Sequence, residues 1–355
     1  MRARTWPGSV VMVLIGAACV LVQSGCVSSM LATMAVKAPN QQQVPRVVQD
    51  AEYARRFDSV YSRIWRLPVG PPPAELCVAV LEPGNYQFSY QVQPREANGR
   101  RWLQPTYDWH LPAEPRPCKG TIVMLHGYRD SKENVAHWAL CLAEFGYRCV
   151  LVDLRGHGRS TGDLIGFGAF EVTDLSRLLD ELRQQGLAGD RVGFLGVSYG
   201  ASMSLLLAAR DKRVAAVVAL EPFSNAAKAV VEFAHGIAPQ EAAKISDADF
   251  AAAIAKAAHR GQFSWESGNV LAAMDQVTAP VLFYHGAKDT WISPENSRLL
   301  QSRTHGPSRL VILPDDDHIW LANRLDNEIV REVSGWFDRY LAEPAPAVGI
   351  PGAKS

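Results

Sequence analysis

The chain has 355 residues, of which 48% are hydrophobic and 20% are charged, and its 36 Lys and Arg balance its 36 Asp and Glu. A globular core is expected from this composition, and the length allows one large domain with additional segments. The balanced charge gives no support for a nucleic-acid partner, because proteins that bind phosphate backbones normally carry a basic excess.

The first 26 residues have the pattern of an export signal. Arg2 and Arg4 precede an uninterrupted apolar run over residues 10–22. This run is shorter than the roughly 20 residues of a membrane span, and it suits the core of a signal peptide. An uncleaved N-terminal anchor is the alternative.

The sequence Ser24-Gly25-Cys26 resembles the lipobox of bacterial lipoproteins, although Gln23 stands where that pattern has an aliphatic residue. The resemblance implies lipidation of Cys26 and membrane attachment through it. With Val27 as the next residue, it also implies retention at the outer membrane. The expected location is therefore the bacterial cell envelope, either as an outer-membrane lipoprotein or in the periplasm.

The remaining cysteines are Cys77, Cys118, Cys141 and Cys149. An oxidising compartment permits disulfides, and Cys77 and Cys118 flank an N-terminal β region where they could pair. Cys149 lies in an apolar run and is expected to be a small buried hydrophobe. No Cys/His spacing indicates a zinc site.

Residues 27–75 are predicted to be a tether, over 27–50, followed by an N-terminal helix. Apolar residues recur at helical spacing within 51–66, and a Pro-rich break follows at 67–73. Beyond the break, the sequence predicts β-like stretches at 76–81 and 86–92.

From residue 120 to residue 341, predicted strands and helices alternate. The strands are 121–125, 148–153, 191–197, 215–220, 281–285 and 309–313; the helices are 134–145, 170–185, 201–210, 294–302 and 323–341. Because the strands are continuous apolar runs, the pattern predicts an α/β fold with a mostly parallel central sheet covered on both faces. Residues 223–279 are too long for a loop and are predicted to form a helical cap, and 342–355 a flexible tail.

The sequence Gly196-Val197-Ser198-Tyr199-Gly200 is a G-x-S-x-G motif between a predicted strand and a predicted helix. This context is that of a nucleophile elbow, where a tight turn requires glycine on both sides of the serine. The turn presents the Ser198 hydroxyl near a helix N-terminus, which favours developing anions.

With this elbow, residues 76–341 resemble the α/β-hydrolase superfamily, closest to its lipase, esterase and serine-aminopeptidase-like branch. The sequence His126-Gly127-Tyr128 after strand 121–125 matches the family's HG loop. The resemblance implies an oxyanion hole made by the backbone N–H groups of Tyr128 and Tyr199. His126 is expected to brace its loop, and His157, in the sequence Asp153–Ser160, to belong to the scaffold.

The resemblance places the acid after a late strand, where Asp289 follows strand 281–285. Glu221 is the alternative acid, because it ends the preceding strand. His318 follows the last strand and completes the chain order Ser, Asp, His of the superfamily. The alternatives to His318 as base are His235, His259, His285 and His305.

These residues predict a serine hydrolase in which Ser198, His318 and Asp289 transfer an acyl group to water. No metal or organic cofactor is implied, and the glycines at 156–168 do not complete a dinucleotide fingerprint. The expected substrate is a small or lipid-like acyl ester. A peptide or amide is the second choice, with Glu232 and Glu241 as candidates for holding an amine. A non-catalytic envelope scaffold is the alternative of a different class.

Overall fold

The computed structural model describes residues 24–42, 51–97 and 100–341. Its centre is an eight-stranded sheet in the order β1-β2-β8-β7-β9-β10-β11-β12. The strands of this sheet are β1 (Arg63–Val69), β2 (Ala74–Leu81), β7 (Gly120–Leu125), β8 (Tyr147–Asp153), β9 (Val192–Val197), β10 (Val214–Leu220), β11 (Val281–Gly286) and β12 (Ser308–Leu313). β1 and β2 pair antiparallel, and the six strands from β7 to β12 are parallel to one another. The predicted mostly parallel α/β sheet is therefore confirmed.

Helices cover both faces of the sheet. They are α1 (Ser24–Val36), α2 (Ala51–Asp58), α3 (Ala136–Glu144), α4 (Glu171–Gln184), α5 (Tyr199–Arg210), α6 (Ala226–Ile237), α7 (Pro239–Ala242), α8 (Asp247–Gly261), α9 (Val270–Ala273), α10 (Glu295–Ser302), α11 (His318–Ala322) and α12 (Asn327–Leu341). Successive side chains of a strand point to opposite faces. Thus Phe194 joins the apolar cluster beneath α4 and α5, whereas Leu195 joins the cluster beneath α3 and α12.

The segment between β10 and β11, residues 223–279, is helical and is called the cap below. It contains α6 to α9 and two short 3₁₀ turns, Trp265–Gly268 and Met274–Gln276. Asn225 caps the start of α6 by accepting from the N–H of Lys228, and Ser246 caps α8 in the same way. Alanine has the highest helix propensity, so the Ala-rich composition of this segment predicts these helices. The two capping side chains stabilise them further.

The first part of the predicted tether is ordered against the rest of the protein. α1 packs along α8 of the cap, with Ala32 and Val36 buried, and the guanidinium of Arg260 donates to the Ser29 main-chain oxygen and the Thr33 hydroxyl. Lys37 then forms a β-bridge with Leu164. Residues 1–23 of the predicted signal segment 1–26, residues 43–50 and 98–99, and the tail 342–355 lie outside the described residues.

The N-terminal helix and the second β-like stretch differ from their predicted bounds. α2 ends at Asp58, and β1 begins at Arg63, because pairing of β1 with β2 overrides the helical spacing that continues to residue 64. The stretch predicted at 86–92 contributes to β4 (Ser89–Ala97), which pairs with β5 (Arg100–Asp108) in a hairpin outside the main sheet. A further short pair joins β3 (Gly84–Asn85) to β6 (Glu114–Pro115).

The pairing of Cys77 with Cys118 is not formed. Both are free thiols: Cys77 is buried in strand β2 of the main sheet, whereas Cys118 is exposed on the surface. Cys149 is buried in β8, as its apolar run predicts, and burial raises the pKa of its thiol well above the ordinary value. Among the described residues, no helix is long and apolar enough to cross a membrane.

Candidate active site

Four polar residues follow the ends of four neighbouring parallel strands. Ser198 follows β9, Glu221 follows β10, Asp289 follows β11 by three residues, and His318 follows β12. The carboxyl ends of parallel strands lie at one edge of the sheet, so the fold gathers these side chains there.

Ser198 occupies the sharp turn between β9 and α5. Its backbone has φ +50° and ψ −107°, an unusual conformation for a residue with a side chain, and it is the N-cap of α5. Its N–H donates to the main-chain oxygen of Leu220 over 2.7 Å, which fixes the turn against β10. The residue retains 9% exposure. This strained turn is the geometry that the G-x-S-x-G motif predicts.

The two glycines of the motif are required by close packing. A Cβ atom at Gly200 would lie 2.4 Å from the main-chain oxygen of Leu125, and one at Gly196 would lie 2.5 Å from the main-chain nitrogen of Ala201. The N–H of Gly200 donates to the main-chain oxygen of His126 over 3.1 Å. The elbow is therefore held directly against the loop that follows β7.

The His126 side chain braces this loop. It is fully buried, its Nδ1 donates to the main-chain oxygen of Gly127 (2.7 Å), and its Nε2 accepts from the N–H of Leu154 (3.0 Å). Burial lowers the pKa of His126, which favours the neutral ring. His157 is also buried, with Nδ1 bonded to the main-chain oxygen of Arg155 (2.7 Å). Both histidines belong to the scaffold, in line with the prediction.

Asp289 and His318 lie on two neighbouring loops that are hydrogen-bonded to each other. Nδ1 of His318 lies 2.6 Å from Oδ2 of Asp289. The N–H of Lys288 donates to the main-chain oxygen of Asp316 over 2.9 Å, which joins the loop after β11 to the loop after β12. The Asp317 carboxylate caps α11 by accepting from two of its N–H groups, and this holds His318 at the first position of that helix.

Asp289 is surrounded by donors. Its Oδ1 accepts from the N–H groups of Trp291 (2.8 Å) and Ile292 (2.9 Å), and its Oδ2 lies 3.2 Å from Nε2 of His285 as well as against His318. Burial opposes ionisation of Asp289, but the charge of His318 and these hydrogen bonds outweigh it and hold the pKa well below its ordinary value. Asp289 is therefore the charged partner of His318.

Glu221, the alternative acid, has the opposite surroundings. Its carboxyl is fully buried, and neither oxygen has a hydrogen-bond partner among the described residues. Burial first, and the negative charge of Asp289 second, raise its pKa well above the ordinary value. Of the two carboxyls near His318, Asp289 has the geometry and the charge of a triad acid.

None of the four alternatives to His318 as base takes its position beside the Asp289 carboxylate and the Trp291 ring. His235, His259 and His305 are exposed. His285 is buried in β11, where its Nδ1 lies 2.7 Å from the Ser297 hydroxyl and its Nε2 2.9 Å from the Ile292 main-chain oxygen. Its contact with Asp289 was missed at the sequence level. A histidine four residues before an acid at a strand end is the signal that could have indicated it.

Aromatic side chains lie over the candidate triad. The ring centroid of Trp291 is 5.1 Å from that of His318, and Phe233 of α6 is 5.6 Å from Trp291. Phe233 also lies 5.8 Å from Tyr128, edge to face. The cap thus contacts both the loop after β7 and the loop that carries Asp289.

Tyr128 and Tyr199, whose N–H groups are the predicted oxyanion donors, lie side by side. Their ring centroids are 6.3 Å apart. Tyr199 is the first residue of α5, a position at which the backbone N–H has no intrahelical acceptor. A Cβ at Gly127, just before Tyr128, would lie 3.8 Å from Cβ of Ser198, so this loop runs directly over the candidate nucleophile.

The sequence pattern of the X-Pro dipeptidyl-peptidase (S15) family matches residues 34–262, more than half of the chain. The matched range includes Ser198, while Asp289 and His318 lie beyond it.

Individual relatives and solved structures share less than 30% sequence identity with the chain. The uncharacterized protein YqkD of Bacillus subtilis (strain 168) is 26% identical over 211 residues, 58% of this chain and 66% of that protein, just under two thirds of its length. A monoacylglycerol lipase of Mycolicibacterium smegmatis is 28% identical over 259 residues, 64% of this chain and 86% of the lipase. An esterase of Pyrococcus furiosus superposes with a TM-score of 0.55 at 18% identity, covering 84% of this chain and 97% of the esterase, a likeness of fold alone.

Proposed function

The chain belongs to the X-Pro dipeptidyl-peptidase (S15) family, and we propose that this α/β-hydrolase cleaves carboxylic esters with an apolar acyl group. The observation that carries the proposal is the aromatic cover of Trp291, Phe233 and Tyr128 beside His318. Such a surface stabilises an apolar acyl group by removing it from water, at about 25 cal/mol per Å² buried. The similarity to a monoacylglycerol lipase supports the same substrate class.

In the proposed reaction, the Ser198 hydroxyl attacks the ester carbonyl while His318 accepts its proton. The charged Asp289 accepts from Nδ1–H of His318, which presents Nε2 to the serine and stabilises the imidazolium. The N–H groups of Tyr128 and Tyr199 hold the oxyanion, where each preorganised donor contributes a few kcal/mol. His318 then protonates the departing alcohol, and water repeats the sequence on the acyl-enzyme.

Turnover of p-nitrophenyl esters from acetate to laurate tests this proposal. The full chain in detergent is expected to show an optimum at one chain length, and Ser198→Ala is expected to lose at least about 10⁴-fold in kcat. Ser302→Ala, an exposed serine on α10, is the matched control and should keep full activity. Equal kcat values for Ser198→Ala and for the unmodified chain would refute the assignment of Ser198 as the nucleophile.

A peptidase is the second candidate, favoured by the family match itself. A dipeptidyl-peptidase must hold the substrate amine with an acid, and Glu232 lies on α6 directly before Phe233. Its carboxylate accepts from the side-chain amide of Asn296 over 3.1 Å. If this function is correct, Gly-Pro-p-nitroanilide is cleaved, and Glu232→Gln raises KM for it while leaving p-nitrophenyl ester turnover unchanged. Glu241→Gln, on α7, tests the other candidate in the same way, and Glu75→Gln, at an exposed position of β2, is the control.

We also propose that the protein is exported and anchored to a bacterial membrane through a lipidated Cys26. The apolar run 10–22 and the sequence Ser24-Gly25-Cys26 support this. Cys26→Ala should abolish incorporation of labelled palmitate, whereas Cys118→Ala, which alters an exposed thiol, should not. Equal labelling of both variants would contradict the anchor.

A further inference from the structure

A second carboxyl, that of Glu221, lies against the triad and has no part in the reaction described above. Its Oε2 is 3.6 Å from Nδ1 of His318, the same nitrogen that contacts Asp289. A carboxyl oxygen of Glu221, a carboxylate oxygen of Asp289 and a ring nitrogen of His318 all lie within 4.8 Å of one another. Two acids therefore face one N–H group.

Stability does not account for this residue. The backbone of Glu221 has φ +55°, a strained conformation for a residue with a side chain. Its fully buried carboxyl also lacks a hydrogen-bond partner among the described residues, which is unfavourable for a polar group. A structural role would be served better by an apolar side chain, so the position of the carboxyl calls for a functional reason.

The charges around Glu221 determine which of the two acids is ionised. It is faced by Asp289 from the loop after β11 and by Asp316, Asp317 and His318 from the segment after β12. Burial and the three aspartates disfavour its charged form, whereas Asp289 receives the donors described above. Removing the Asp289 charge, or protonating His318, favours ionisation of Glu221.

We propose that Glu221 is a positioning residue that acts as a second acid of the triad, neutral in the resting site and able to replace Asp289 as the acceptor for Nδ1–H of His318. The inference rests on the proposed function, because Glu221 acts only through His318. It requires no new bond: the only event is loss of the Glu221 proton to solvent and a shift of its carboxylate toward Nδ1.

The test compares the unmodified chain with Asp289→Asn, Glu221→Gln and the double variant. Two rates are measured from pH 6 to pH 10: fluorophosphonate labelling of Ser198 and p-nitrophenyl ester turnover. Both rates of Glu221→Gln should stay within about 3-fold of those of the unmodified chain, because an amide has the shape of the neutral acid. Both rates of the double variant should fall about 10⁴-fold, as expected when the wrong imidazole tautomer is favoured.

Asp289→Asn alone is the informative variant. Its labelling and turnover rates should fall only about 10- to 100-fold, and the remaining rate should rise with pH as Glu221 ionises. The alkaline rise should vanish in the double variant, a change in pH profile that a merely structural role would not produce. Asp289→Ser, whose oxygen can still accept from the N–H of Trp291, provides a second background if Asp289→Asn does not fold.

A readout that does not depend on turnover is the imidazole ¹⁵N resonance of His318. Protonated Nδ1 should persist in Asp289→Asn and disappear in the double variant. The proposal is overturned if Asp289→Asn is as inactive as the double variant at every pH, or if Glu221→Gln alone loses more than about 100-fold. An unmodified chain that neither labels nor turns over ester would instead reject the proposed function, while the resonance would still test Glu221.

Discussion

The hydroxyl of Tyr128 donates a hydrogen bond to the main-chain oxygen of Met34 over 3.3 Å. The bond joins the loop after β7, which runs over Ser198, to the end of α1. The Gln42 side-chain amide donates to the same oxygen over 3.1 Å. The N-terminal segment is therefore part of the wall of the candidate site, and any truncation that removes residues 24–42 alters that wall.

Ala32→Arg tests this wall. Ala32 is fully buried where α1 packs on α8, so an arginine there should displace α1 and, with it, the acceptor of Tyr128. We expect kcat/KM for the best ester to fall about 10-fold or more, because small displacements of a catalytic loop are costly. Lys37→Ala, at an exposed side chain two residues beyond Ala35, should leave kcat/KM unchanged. Equal kcat/KM in both variants would show that α1 does not support the site.

Gly200→Ala should destabilise the elbow. Its new methyl group would lie 2.4 Å from the main-chain oxygen of Leu125, and backbone atoms cannot give way as a flexible side chain can. We expect the free energy of unfolding to fall by about 3 kcal/mol or more, measured by urea titration.

The matched control is Gly335→Ala, where a Cβ would meet nothing within 4 Å inside α12. That change should stabilise the protein by about 0.5–1 kcal/mol, because alanine favours helices over glycine. A Gly200→Ala protein as stable as the Gly335→Ala protein would contradict the packing of the elbow.

Glu221→Gln should make the protein more stable at neutral and alkaline pH. Burial and Asp289 raise the folded pKa of Glu221 above the unfolded value, so the folded state retains a proton that the unfolded state releases. The free energy of unfolding therefore falls as pH rises from about 4.3 toward the folded pKa, at about 1.4 kcal/mol per pH unit, and glutamine removes this loss.

Urea unfolding at pH 4, 6 and 8 measures the effect. The stability difference between Glu221→Gln and the unmodified chain should grow with pH. A difference independent of pH would mean that Glu221 is already ionised in the folded protein.

Local sequence patterns were sufficient for the six parallel strands of the sheet and for the chain order of the candidate site residues, but not for β1. Gly196 and Gly200 mark a turn that few other residues permit, and the apolar runs of β9, β10 and β11 place Ser198, Glu221 and Asp289 at one sheet edge. These features depend on backbone sterics and on strand burial, and short sequence patterns indicate both.

Features that depend on tertiary contacts were not predicted. α1 combines apolar residues with Ser28, Ser29 and Thr33 and has no distinct apolar face, so its sequence does not indicate that it packs against α8. The end of α2 is set by β1 pairing with β2, a contact across 17 residues between Arg63 and Val80. The sequence favours Asp289 over Glu221 only through the family resemblance, because no spacing reveals the N–H donors that hold the Asp289 carboxylate.

Fluorophosphonate labelling followed by peptide mass spectrometry shows directly whether Ser198 is the activated nucleophile. We expect one label on the peptide that contains Ser198, its loss in Ser198→Ala, its retention in Ser302→Ala, and labelling slowed at least about 100-fold in His318→Ala. A protein that takes no label, or that is labelled equally after Ser198→Ala, would show that Ser198 is not the nucleophile.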